Sequence, residues 1–478
     1  MLKKGIKNKF LVIIFQGFAL LTLPLISKYI GEKEFGIWSI IFGMMQMLVP
    51  IFILQLDSGF TRFIAGSKSR EKTTNIFLSI SLLLFLILTI AYIISFVFNI
   101  SISKFLFASE SYVIYVQVTF SWVCIRVFST FSRNFFRTLG KFKTDTIIGV
   151  IQQITFIISI LFVSYSGKEL LDFFKIILSI ESILLFITLL LVYRELSFKR
   201  VRLNIPQKFF LYSLPLIPTM ILSWVTNYSD QLMIVHYLSL EDNARYSLYY
   251  LYSRIPHWIV ITPLNYALLP FLSKFTYVGK DIFTVKYYIK EGVNISILLI
   301  SIMIIGLIFY GSEIIYVLSN QDINLTSMLL IVLISFSVFF SAIYQIVYHI
   351  LSLKNETQVL IYIFGAGALL NLFFNFFTIP IYGILGAAFS TLLSFTVVCL
   401  LTIKAAKISY KDFIFSETII FLIFILFISI LIKLIFFSNL YILGVFFFFV
   451  LTTYIIFINK FFPVYFNFIK NYSSKKLK

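Results

Sequence analysis

Apolar stretches of roughly 20 residues follow one another from Phe10 to Phe462, each long enough to cross a ~30 Å hydrocarbon core as a helix. Runs such as residues 80–90 (ISLLLFLILTI) lack the alternation that a membrane β-barrel strand needs, so helices are expected throughout. A soluble core has no use for a chain that is 60% hydrophobic and only 12% charged. The expectation is an all-α integral membrane protein with about 14 transmembrane helices. The spans fall near 10–30, 37–60, 76–100, 112–136, 145–166, 171–193, 209–238, 244–270, 289–311, 325–352, 358–379, 383–402, 417–437 and 441–462. The first run follows a basic head and reads as a retained helix rather than a signal peptide.

A net charge of +19 would suggest nucleic acid in a soluble protein. Here its placement matters more. With the N-terminus in the cytoplasm, most of the 39 Lys and Arg residues fall in the N-terminal tail, every second loop and the C-terminal tail. That is the positive-inside bias, and it puts both termini in the cytoplasm. The excess is topological, and no nucleic-acid partner is expected. Cys124 and Cys399 both lie within spans, so neither a disulfide nor a metal site is read from them. No P-loop is present and the outer loops are short, so no cofactor and no enzymatic activity are expected.

An internal repeat divides the chain. At an offset of 208, residues 29–39 after the first span line up with residues 237–247 after the seventh, with Tyr, acidic, aromatic and Ser positions in the same order. Six spans separate the copies, so they share orientation, as in parallel repeats of secondary transporters. The expected organisation is a six-helix lobe over 1–193, a basic cytoplasmic linker over 194–208, a second six-helix lobe over 209–402, and two further helices with a basic tail over 403–478. The two lobes would surround a central cavity.

Several segments resemble a known family. Gly31, Phe35, Gly36, Trp38 and Ser39 match a G-x-x-x-[FY]-G-x-[WY]-S pattern after the first helix; residues 56–63 (LDSGFTRF) resemble the segment closing the second. Residues 213–218 (SLPLIP) with Asn227 and Asp230 are similar to an S-L-P…D signature in the seventh, and residues 382–388 (YGILGAA) to the start of the twelfth. The pattern is that of O-antigen and capsular polysaccharide repeat-unit flippases (Wzx-type), in the superfamily that also holds multidrug exporters. The resemblance implies alternating access in a bacterial plasma membrane, with a polyprenyl-diphosphate-linked oligosaccharide as cargo. A polysaccharide polymerase is an expected partner.

Ionisable groups at mid-bilayer are costly and mark function. Arg126, Thr130, Arg133 and Arg137 share one face of the fourth span, with Arg126 near mid-depth. Forked guanidinium groups suit a diphosphate; Arg133 and Arg137 also read as inner-surface anchors. Tyr246, Tyr250, Arg254 and His257 share a face of the eighth span. Arg254 is expected at mid-depth as a second diphosphate anchor, and the tyrosines as sugar-stacking faces or as members of the interfacial belt. Lys28 at the outer rim is a further diphosphate contact or a snorkelling lysine. Glu181, Asp230 and Asp57 are candidates either for coupling to H+ or Na+ or for structural ion pairs. Lys433 reads as snorkelling or as the mark of a lipid-tail groove. The rival functions are an ion-coupled multidrug exporter, whose cationic cargo two arginines would repel, a peptidoglycan-precursor flippase, and a membrane-embedded polymerase or glycosyltransferase.

Overall fold

The computed structural model describes residues 22–67, 69–198, 201–265, 268, 272, 282–320, 324–353, 357–408, 417–436 and 439–461, and among them there are helices and no strands. The first lobe contains α1 (Pro24–Tyr29), α2 (Glu32–Ile53), α3 (Leu56–Ile64), α4 (Arg70–Val97), α5 (Asn99–Phe107), α6 (Val113–Thr138), α7 (Phe142–Tyr165) and α8 (Leu170–Tyr193). The second contains α9 (Gln207–Ser213), α10 (Ile217–Tyr237), α11 (Leu240–Ser253), α12 (Ile282–Ser319), α13 (Leu325–Leu353), α14 (Thr357–Tyr382) and α15 (Ile384–Ala405). Two more, α16 (Glu417–Ile435) and α17 (Leu440–Phe461), follow. Ten described helical stretches are long and apolar enough to cross a membrane, and α16 and α17 are apolar as well. This is a multi-pass membrane protein. Residues 10–21 of the first expected span lie outside the described residues.

The lobes are built alike. In the first, α1 packs on α2 and α7, α2 and α4 pack on α6, and α8 packs on α6 and α7. In the second, α10 packs on α11 and α14, α11 and α12 pack on α13, and α15 packs on α13 and α14. Each pairing is the other's image at the repeat offset, so the short sequence repeat reflects a whole-lobe repeat. The two copies of the repeated segment also meet each other, where α2 crosses α11. Gly36 lies so close to the Leu240 carbonyl that a Cβ there would overlap it. The Asn243 side chain donates to the Gly36 carbonyl at 3.2 Å and to Ser39 Oγ at 2.8 Å, and Arg245 faces Glu32 at 3.4 Å. At the far end of the lobe interface α3 packs on α9, with the Phe63 and Phe209 rings 5.0 Å apart and Arg62 4.4 Å above the Tyr212 ring.

The surface is apolar where lipid would lie. Phe85, Ile90 and Ile93 of α4, and Leu369, Phe373 and Phe376 of α14, are exposed, as expected when the solvent is hydrocarbon. Buried hydroxyls inside the helices donate back to the carbonyl one turn earlier, as Thr188 does to Leu184 at 2.7 Å and Ser301 to Ile297 at 2.7 Å. Several spans differ from the sequence expectation. The second is broken between α2 and α3, and the eighth ends as a regular helix at Ser253, beside the cavity described below. The ninth is longer at both ends than 289–311, because polar residues at its ends extend α12 beyond the apolar run. Lys433 of α16 does not snorkel. It is fully buried, paired with Glu313 of α12, and donates to the Phe309 carbonyl at 3.0 Å. With the Tyr454 hydroxyl donating to the Leu298 carbonyl, this contact fastens α16 and α17 to α12.

Two outcomes follow from these contacts. Gly36→Val should force α2 and α11 apart and cost about 1–3 kcal/mol by overpacking, read as a lowered unfolding midpoint in detergent; an unchanged midpoint would mean that the crossing is not tight. Lys433→Leu should cost about 3 kcal/mol by leaving Glu313 without its cation, whereas Lys433→Leu with Glu313→Leu should recover most of that loss. Equal losses in the single and double variants would contradict the pairing.

Candidate functional site

The cavity lies where helices from both lobes are interrupted. Pro50 in α2 has no N–H to give to the helix and breaks its hydrogen-bond ladder. Four residues on, Leu54 and Gln55 both take left-handed conformations, with φ of 53° at each. Each costs roughly 1–2 kcal/mol for a residue with a side chain. In the second lobe α11 gives way at Arg254, and a π-helical turn follows over His257–Ile261 after Pro256. Gln46 of α2 stands 208 residues before Arg254, so the break at Leu54 and Gln55 falls about two turns later in the repeat than the end of α11. Irregular backbone at membrane depth is tolerated where it lines a cavity rather than lipid.

Two compartments adjoin there. One, of about 570 Å³, is walled by α10, α13 and the segment that follows α11, and lined among others by Trp224, Asn227, Arg254, Asn265, Gln345 and Tyr348. The other, of about 370 Å³, lies against the first lobe and is lined among others by Phe42, Met45, Trp122, Arg126, Thr130 and Gln153. Gln46, Pro50 and Trp258 line both. Arg126 and Arg254, one from each lobe, thus face adjoining spaces.

Their electrostatic settings differ. Arg126 of α6 is paired with Glu181 of α8 at 2.5 Å, and the Trp122 indole donates to the other Glu181 oxygen at 2.9 Å. Its charge is therefore matched by a buried carboxylate. Arg254 donates to Asn227 Oδ1 at 2.6 Å and to the Tyr250 hydroxyl at 2.7 Å, with its guanidinium 5.1 Å from the Tyr250 ring. These partners are neutral. Among the described residues no carboxylate lies within ion-pair distance of Arg254. A cation held by neutral dipoles beside a cavity is a ready anion site.

The rest of the expected arginine stripe turns away. Arg133 donates to Asp145 of α7 at 2.9 Å and to Gln152 at 2.9 Å, and Arg137 lies 3.5 Å from the other Asp145 oxygen. Gly149 leaves room for the Arg133 guanidinium. Only Arg126 and Thr130 of the stripe line the compartment. Tyr246 is not a stacking face: it is fully buried and its hydroxyl is bonded to Asp230, because its side chain packs into the second lobe. Tyr250 lines a small recess with Arg254. His257 lines the larger compartment and is 3.0 Å from Gln345. Lys28 donates to the Val317 carbonyl at 2.9 Å, tying α1 to α12 away from either compartment. Asp57 stands in the first turn of α3; its carbonyl accepts from Asn134 of α6 at 2.6 Å and it lines neither compartment.

Asp230 sits in an oxygen-rich cluster. Its carboxylate accepts from Tyr246, from the Gln231 N–H at 2.9 Å and from Thr391 at 3.4 Å. Ser229 donates to Asn371 at 3.2 Å, and Asn375 to Asn371 at 3.0 Å. One carboxylate with amide and hydroxyl oxygens suits a proton or a hard cation. Among the described residues no group of three or more His, Cys, Asp or Glu is placed to hold a metal ion.

Sequence reasoning missed Gln46, Gln345, Asn265 and the cavity role of all four tryptophans. The signal for the last was present: Trp122, Trp224 and Trp258 lie inside spans rather than at the ends, where the aromatic belt would put them.

The described architecture recurs in solved structures of low sequence identity. The lipid II flippase MurJ, in an inward closed conformation, is 18% identical with a TM-score of 0.76, over 96% of this chain and 98% of that one. A multidrug resistance MATE family transporter of the MOP superfamily, inward-facing, is 11% identical with a TM-score of 0.65, over 82% and 94%. The MATE multidrug transporter DinF-BH is 13% identical with a TM-score of 0.62, over 87% and 96%. A comparison with curated proteins gives no match. At the sequence level, residues 2–276 match the family described as polysaccharide biosynthesis protein. That match covers more than half of the chain, and with the helix architecture it places the sequence: the chain belongs to the polysaccharide biosynthesis protein family.

Proposed function

We propose that this chain flips a polyprenyl-diphosphate-linked oligosaccharide repeat unit from the cytoplasmic to the outer leaflet of the bacterial plasma membrane, by alternating access, for O-antigen or capsule synthesis. The observation that carries the reading is the Arg254 guanidinium, held by Asn227 and Tyr250 beside a cavity of about 570 Å³ without a carboxylate partner among the described residues. A diphosphate brings the negative charge that this site lacks, in a geometry a guanidinium grips with two parallel hydrogen bonds. Arg126 stands in the adjoining compartment as a second anchor, its charge shared with Glu181. Family membership and the likeness to a lipid II flippase fold support the cargo class. Lobes over 1–193 and 209–402, a cytoplasmic linker over 194–208 and cytoplasmic termini complete the reading, which rests on the distribution of basic residues. Movement of H+ or Na+ through the Asp230 cluster would supply the driving force, and a polysaccharide polymerase would receive the product.

The likeness to multidrug transporters supports a second reading, an exporter of organic cations. Arg254 opposes it, because an unmatched cation in the cavity wall repels such cargo.

In a strain lacking this gene, Arg254→Ala should fail to restore surface polysaccharide, while Arg254→Lys should restore part of it. The loss of one charge-assisted contact, about 1.5–3 kcal/mol, corresponds to roughly 10- to 100-fold in cargo affinity. Full restoration by Arg254→Ala would sink the assignment. Arg126→Ala alone is a poor test, since it strands a buried carboxylate. Arg126→Gln with Glu181→Gln keeps the site neutral and should fold, yet transport labelled lipid-linked oligosaccharide in vesicles at least about tenfold more slowly. Normal transport would reduce the pair to a packing role.

A further inference from the structure

All four tryptophans of the chain line the central cavity or its recess. Trp38 and Trp122 wall the first-lobe compartment, Trp224 walls the second-lobe compartment, and Trp258 lines both. A membrane protein ordinarily places tryptophan at the two water interfaces. Here each indole lines one of the compartments instead.

The second-lobe compartment differs from its neighbour in chemistry. Trp224, Tyr228, Trp258, Tyr344, Tyr348 and Phe364 give it broad ring faces. Between them run amide and imidazole groups joined in a chain: His257 to Gln345 at 3.0 Å, Asn265 to Gln345 at 3.3 Å, and His349 to Asn265 at 3.2 Å. Two of the protein's three histidines belong to this chain. The Nδ1 atoms of His257 and His349 are buried without a hydrogen-bond partner in the structure. Trp224 is held in place by its N–H, which donates to the Gly43 carbonyl at 2.7 Å, and its ring is stacked with that of Tyr228, centroids 6.4 Å apart. The first-lobe compartment holds Leu23, Phe42, Met45, Val49 and Phe156, with few polar groups besides Arg126, Thr130 and the glutamines.

We infer that the second-lobe compartment is the oligosaccharide subsite, with Trp258 and Trp224 as stacking faces, Gln345, Asn265 and His257 as readers of sugar hydroxyls, and the diphosphate held at its border by Arg254. This rests on the flippase reading and assigns the sugar part of the cargo to one lobe. Sugar rings offer apolar C–H faces to an aromatic ring and hydroxyls to amides, and this compartment alternates those two surfaces. Its volume is within the roughly 300–1,000 Å³ of ordinary small-molecule sites. A subsite on one lobe also gives the cargo a fixed orientation, with the sugars away from the apolar first-lobe wall.

Native mass spectrometry of the detergent-solubilised full chain tests it with three probes: polyprenyl diphosphate without sugar, the lipid-linked repeat unit extracted from the source cell, and tetraphenylphosphonium. The wild type should bind the sugar-bearing lipid more tightly than the sugar-free one. Trp258→Leu and Gln345→Leu should each weaken the sugar-bearing lipid about fivefold or more and leave the sugar-free lipid unchanged. That retained binding also reports that the variants are folded. Arg254→Ala should weaken both lipids. Equal wild-type affinity for the two lipids, or parallel losses of both in Trp258→Leu and Gln345→Leu, would overturn the subsite and leave the flippase reading standing. Wild-type binding of tetraphenylphosphonium alone would overturn both.

Discussion

The close crossing of α2 and α11 is the contact on which the rest of the structure depends. Gly36 lets the two backbones touch at Leu240, and Asn243 bridges to Gly36 and Ser39. Because these are the two copies of the repeated segment, the crossing joins the lobes at equivalent surfaces. Below it each helix is interrupted, α2 at Leu54 and Gln55 and α11 at Arg254. Between the lobes lie the two adjoining compartments, which share Gln46, Pro50 and Trp258.

Among the described residues, charge in that interior follows a consistent rule, with one departure. Arg126 has Glu181, Arg133 and Arg137 share Asp145, and Lys433 has Glu313. Each buried cation is matched, as the cost of burying charge demands. Arg254 is held by an amide and a phenol instead. Under the proposed function, this guanidinium is where the anionic cargo would dock. The Asp230 carboxylate lies in the same lobe, bonded to Tyr246, Thr391 and the Gln231 N–H, and makes no ion pair with Arg254.

The fold was legible because lipid imposes a length. Twenty apolar residues mean a span whatever they pack against, and the repeat at residues 29–39 and 237–247 carried enough of the lobe interface to reveal the two lobes. The breaks were less legible. Pro50 announces one, but the left-handed pair at Leu54 and Gln55 carries no glycine to signal it. In the site, mid-depth Arg126 and Arg254 stood out because charge is rare in lipid. Which of them is neutralised depends on how α6 meets α8, and helix spacing within one segment says nothing of that. Tyr246 shows the same limit: it shares a helical face with Tyr250 and Arg254, yet packs against Asp230 of another helix. The tryptophans were hidden by their scatter over four spans, which the fold gathers around one space.

The decisive measurement is the leaflet on which lipid-linked repeat units accumulate in the source cell when this gene is deleted. Complete units should be held on the inner leaflet, with surface polymer lost. Complete units on the outer leaflet, left unpolymerised, or normal polymer with altered drug sensitivity, would contradict the flippase assignment.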